Sequence, residues 1–151
     1  MESNVSTAIK FTKLDADIFV PDGVSLAEAL KRTTHLCVSA HQDDVEIFAG
    51  NGILECFGRP DRWFTAIIVT DGAGSSRTGL YQNYSDDQMK AVRKIEQRKA
   101  AFVGEYSCVI QLCHKSAEVK NGAYAGVVED LKTILHHCSP EVVYLHNPAD
   151  K

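Results

Sequence analysis

Leu36-Cys37-Val38-Ser39-Ala40-His41-Gln42-Asp43-Asp44-Val45-Glu46-Ile47-Phe48-Ala49-Gly50 is the stretch that decides how this chain folds. Its apolar opening, Leu36 to Ala40, stops at His41, and an amphipathic segment begins at Val45, so a strand hands over to a helix. The handover carries one imidazole, His41, and three carboxylates, Asp43, Asp44 and Glu46. An imidazole and a carboxylate three residues apart can face one divalent cation, leaving the second aspartate to act on a water. The same residues admit a purely structural account. Asp43 or Asp44 would cap the helix, Glu46 would favour its positive end, and His41 would simply close the strand.

Downstream, apolar runs alternate with helical segments, which is the signature of parallel βαβ units. Four strands are expected, at about His35–Ala40, Phe64–Thr70, Ser107–Cys113 and Glu141–His146, each continuous enough to be covered on both faces. The helices between them are expected over about Glu46–Gly58, Asp87–Val103 and Tyr124–Cys138, with Gly104 and Pro140 as stops. Right-handed crossovers give an α/β, Rossmann-like open parallel sheet of order 3-2-1-4 with helices on both faces. Ligands of such sheets bind beyond the carboxyl ends of the strands where the winding reverses. Here that is the crevice between the first and fourth strands, where His41-Gln42-Asp43-Asp44 and His146 emerge.

Residues 1 to about 24 read as an arm or lid-like edge with a Pro21-Asp22-Gly23 turn, and Ser25 with Glu28 as a capping box opening a short helix. The expected division is thus an N-terminal arm and short helix over 1–34 and one catalytic-type domain over 35–151.

Composition narrows the function. The 151 residues carry a net charge of -4, which gives no basic footprint for nucleic acid or an anionic membrane. Five cysteines without a Cys-x-x-Cys pair fit buried, reduced thiols of a cytoplasmic protein. There is no signal-like start and no run of eighteen apolar residues. The acid-rich first turn also argues against a nucleotide-binding Rossmann protein, because acids repel a pyrophosphate.

Ala40-His41-Gln42-Asp43-Asp44-Val45-Glu46 with Gly50, then Val69-Thr70-Asp71-Gly72, then Arg93-x-x-Glu96 in a helix, resembles the PIG-L/LmbE family of zinc-dependent de-N-acetylases. The family usually has proline where this chain has Gln42. The resemblance implies Zn²⁺ held by His41 and Asp44, with Asp43 as the general base. It also implies a small-molecule amino-sugar substrate losing its N-acetyl group, while the charge and hydropathy give no sign of a nucleic-acid or membrane partner.

The family's third ligand comes from a His-x-x-His segment after the fourth strand. The chain ends at Lys151, before such a segment, so either it is a piece of a longer protein or His146 completes the site. A chain ending there would leave a sheet edge and apolar helix faces for another chain to cover, as in a homo-oligomer. The alternative reading is a non-catalytic sugar-binding or scaffolding module of the same fold.

Around this core, Arg77 is a candidate for holding a hydroxyl or anionic substrate group, and Asp71 for orienting a ligating histidine, although a solvated loop explains both. Arg93 and Glu96 read either as a surface pair or as a buried structural or substrate-orienting pair. His114 and Cys113 suggest no constellation.

Overall fold

The computed structural model describes residues 9–149. Five strands form one sheet: β1 (Asp17–Phe19), β2 (His35–Ser39), β3 (Phe64–Thr70), β4 (Cys108–His114) and β5 (Val142–Tyr144), in the order β1-β4-β3-β2-β5. β2, β3, β4 and β5 run parallel, and β1 pairs antiparallel with β4 through Asp17–Gln111, Ile18–Ile110 and Phe19–Val109. The expected four-strand order therefore has to be corrected by an added edge strand.

Within the segment read as an arm or lid-like edge, residues 17–19 form this edge strand, and residues 1–8 lie outside the described residues. Asp17 is buried and binds Arg98, whose Nε donates to Oδ2 at 2.8 Å, and the amide of Gln111. A buried carboxylate is tolerated when it is paired in this way. A three-residue strand carrying an acid shows no alternation that a sequence pattern could register.

The helices are α1 (Leu26–Lys31), α2 (Asp44–Phe48), α3 (Gly50–Cys56), α4 (Asp86–Val103), α5 (Ser116–Val119) and α6 (Gly126–Leu135), with a 3-10 turn at Gly79–Tyr81. Ser25 and Glu28 form the expected reciprocal capping box of α1. Successive strand residues alternate between two apolar layers. Cys37, Ala66, Ile68 and Val109 join Val45, Ala49, Cys56 and Ala101 of α2 to α4. Leu36, Ile67, Cys108, Ile110 and Leu112 join Leu30 of α1 and Ile134 of α6.

Where one helix from Glu46 was expected, the chain breaks at Ala49 (φ -108°, ψ 13°) into two short helices. At Gly52 a Cβ would stand 2.6 Å from the Tyr144 ring, so glycine is what lets α3 approach β5 this closely. β5 also departs from expectation. Val142 and Val143 are 37% and 48% exposed because β5 is an edge strand, not a strand covered on both faces.

All five cysteines are free and buried. Burial pushes the Cys37 and Cys108 thiols up to about 12, with Glu46 and Asp44 adding to the effect at Cys37. The thiolate is the reactive species, so Cys37 and Cys108 should stay unmodified by a thiol reagent at about pH 8 in the native protein. All five should react in denaturant. Mass spectrometry of the labelled peptides checks this, and native labelling of either residue would contradict the burial described.

Candidate metal and hydrolase site

The turn after β2 is held at nearly every backbone group. Thr70 donates its N–H (3.0 Å) and its hydroxyl (2.8 Å) to the Ala40 carbonyl, and Ser39 Oγ donates to the His41 carbonyl at 2.6 Å. The His41 N–H donates to Asp44 Oδ2 at 3.0 Å. Arg93 Nη2 donates to the Gln42 carbonyl at 2.9 Å, and Gln97 Oε1 accepts the Asp43 N–H at 3.0 Å. Such extensive pairing fixes the turn before any ligand arrives.

Asp43 occupies the N-cap of α2 in the left-handed region (φ 72°), yet its side chain makes no cap hydrogen bond. Its carboxylate instead accepts from Arg93 Nη2 at 2.8 Å and is 63% exposed. Asp44 Oδ2 lies 3.1 Å from His41 Nδ1 and 3.5 Å from His146 Nε2. Glu46, the third acid, is half-buried and faces α4 and the segment leading into β4: its Oε1 accepts from Tyr106 Oη (2.6 Å) and Gln97 Nε2 (3.0 Å). Burial, followed by the charge of Glu46, raises the Tyr106 phenol well above its ordinary value, so it remains a donor.

His41, Asp43 and Asp44 line a cavity of about 310 Å³ with Thr70, Gly72, Gly74, Ser75 and Ser116. Donors of a tetrahedral zinc site, at bonds of about 2.0–2.1 Å, stand about 3.3–3.4 Å apart. The separation of His41 Nδ1 and Asp44 Oδ2 is close to that edge, so this pair suits two positions of such a site. Among the described residues no group of three His, Cys, Asp or Glu is arranged to hold a metal. His146 Nε2 accepts the Ala40 N–H at 2.9 Å, so that nitrogen would have to release the amide before it could ligate. Its ring also packs against Phe48, with centroids 4.8 Å apart.

Other expected site residues are placed differently. Arg77 directs Nε to the Tyr84 carbonyl (3.0 Å), Nη1 to the Ser75 carbonyl (3.1 Å) and Nη2 to Asp86, so its guanidinium braces its own loop. Arg93 grips Asp43 and Glu96. Asp71 accepts from the Ala73 N–H (3.0 Å) and pairs with Lys90 (3.4 Å), with no histidine among these partners. Gln42, in the place of the usual proline, is buried; its amide donates to the Thr70 carbonyl and to Gln111 Oε1.

His114, which suggests no constellation in the sequence, is buried at the centre of one. Asp130 can only accept, so His114 Nε2 donates to Oδ2 at 2.9 Å, and in the neutral ring Nδ1 accepts from the Tyr124 hydroxyl at 2.8 Å. The relevant signal is dispersed over residues 114, 124 and 130, and periodicity does not reveal it.

Gly72 has φ +79°, and a Cβ there would lie 2.9 Å from Gln42 Oε1 and 3.0 Å from Arg93 Cβ. Gly72→Ala should therefore destabilise the protein by about 1–3 kcal/mol through backbone strain and crowding. A denaturant midpoint measures it, and an unchanged midpoint would contradict this packing.

A family model described as PIG-L, GlcNAc-PI de-N-acetylase, matches residues 36–151. No curated protein and no solved structure gives a match. The matched span takes in all four parallel strands, the acid-bearing turn after β2 and the α4 helix that grips it; the chain belongs to the PIG-L family of de-N-acetylases.

Proposed function

We propose that this protein is a metal-dependent hydrolase that removes the acetyl group from the nitrogen of an N-acetylated amino sugar or its conjugate. The observation that carries the proposal is the pairing of His41 and Asp44 beside an exposed Asp43 carboxylate that does no capping. His41 and Asp44 would hold Zn²⁺, which when bound supplies Lewis acidity toward the amide carbonyl and toward water. Asp43 takes a proton from the attacking water and returns it to the leaving amine. Arg93 holds the carboxylate of Asp43 through Oδ2, so the base is aimed before substrate enters. Arg77 serves the site by shaping the loop at Ser75, which lines the same cavity.

A second reading, a non-catalytic sugar-binding module, is favoured by one observation: the described residues offer no three-residue metal group. Acetate release from N-acetylglucosamine or a conjugate of it, assayed with added Zn²⁺, separates the two. The hydrolase reading expects turnover that a chelator abolishes. Saturable sugar binding without acetate release would favour the second.

A further inference from the structure

We propose that Gln97 is a positioning residue for Asp43, holding the backbone that carries the base while Arg93, one helical turn earlier on α4, holds its carboxylate. This inference rests on the reading of Asp43 as the general base. Gln97 is 1% exposed and stands between two groups of opposite demand. Its Oε1 accepts the Asp43 N–H at 3.0 Å, and its Nε2 donates to Glu46 Oε1 at 3.0 Å. A carboxylate cannot donate and an amide N–H cannot accept, so these two partners fix which way the glutamine amide points. Tyr106 Oη donates to the same Glu46 oxygen at 2.6 Å and anchors the far end.

The need for such an anchor comes from the backbone of Asp43. Its φ of 72° lies in the left-handed region, which a residue with a Cβ adopts at a cost and keeps only when its surroundings hold it there. The local turn does not supply that hold through the side chain of Asp43, which makes no cap hydrogen bond. The hold comes from α4, where residues 93 and 97 lie on one face. Without the Gln97 acceptor, the Asp43 N–H loses its partner and the peptide can leave the left-handed well, taking the carboxylate off the line of attack. A displacement of about 1 Å at a reacting group can cost about 100-fold in rate.

The test uses the full chain with added Zn²⁺ and compares wild type, Gln97→Met, Asp43→Asn and the double variant. Gln97→Met keeps the length of the side chain but can neither accept from Asp43 nor donate to Glu46 as an amide does. It should lower kcat for acetate release by about 10–100-fold, with KM within about twofold. The same substitution should cost nothing further in the Asp43→Asn background, because a residue acting through Asp43 has nothing left to position. A loss of equal size in both backgrounds would mark a general structural role and overturn the proposal. So would an unchanged kcat in Gln97→Met beside an inactive Asp43→Asn, an outcome that leaves the reading of the base intact. If Asp43→Asn is itself fully active, the reading of the base fails and the positioning role fails with it.

Amide hydrogen exchange gives a readout independent of activity. The Asp43 N–H should be protected in wild type and exchange at least about tenfold faster in Gln97→Met, with β3 and β4 amides unchanged. Should that variant not fold, the wild-type measurement decides alone. A protected Asp43 amide supports the anchor, and exchange at the rate of an unstructured peptide overturns it.

Discussion

Asp43→Asn should lower kcat for acetate release by about 10²–10⁴-fold, the range general acid–base groups contribute, with little change in KM. The substitution is close to isosteric. Asparagine can still accept from Arg93 through its carbonyl oxygen, and its backbone N–H can still reach Gln97 Oε1. What it cannot do is take a proton from water. His41 and Asp44 are untouched, so metal content should match wild type, and the loss can be assigned to proton transfer instead of metal binding. A variant rate within about twofold of wild type, at equal metal content, would remove Asp43 from the chemistry.

The largest effect on stability is expected away from the site. Asp130 is 2% exposed and accepts from the Thr12 N–H (2.7 Å), the Thr12 hydroxyl (2.8 Å) and His114 Nε2 (2.9 Å). It fastens the segment before β1 to α6 and to the end of β4. Asp130→Ala strands the buried His114 Nε2 donor and takes a partner from Thr12, which is exposed and whose hydroxyl also donates to the Gly126 carbonyl. Losing a buried hydrogen bond to a charged group and leaving its donor unsatisfied costs about 1.5–3 kcal/mol, which at this chain length lowers Tm by roughly 3–12 °C. Asp130→Asn should cost less, since its carbonyl oxygen can still accept from Thr12. Guanidinium unfolding of both variants provides the check, and a loss below about 1 kcal/mol in Asp130→Ala would mean the network contributes little.

These two residues mark how far the sequence could be read. As a candidate base, Asp43 was legible because the residues that suggest it are local: an imidazole and two acids within four residues, at the point where one period of hydrophobicity gives way to another. β3 and β4 were legible because all seven residues of each are buried, and a strand covered on both faces shows as a mostly apolar run, broken here only by Thr65, Thr70, Gln111 and His114. Asp130 was not legible. Its partners lie 16 and 118 positions away, and a lone aspartate inside an amphipathic helix reads as a solvated charge.

β1 was missed for a related reason. Its register is supported by Arg98 and Gln111 binding Asp17, so a polar contact across the chain supports a strand that apolar patterning alone would not predict. The break at Ala49 was missed because no proline or capping residue announces it; the close approach of Gly52 to Tyr144 becomes visible only once β5 is in place. Arg93 read as a surface, structural or substrate-orienting pair with Glu96, and Arg77 as a substrate contact or part of a solvated loop; packing adds Asp43, Tyr84 and Ser75 as protein partners that a linear reading does not name.

Isothermal titration of Zn²⁺ into the wild-type chain and into His41→Ala and Asp44→Ala tests most directly whether an ion sits where the β2 turn opens toward β5. One ion should bind per wild-type chain, and each substitution should weaken that binding by at least about tenfold. Absence of binding by the wild type, or binding that both variants retain undiminished, would contradict a metal centre built on His41 and Asp44.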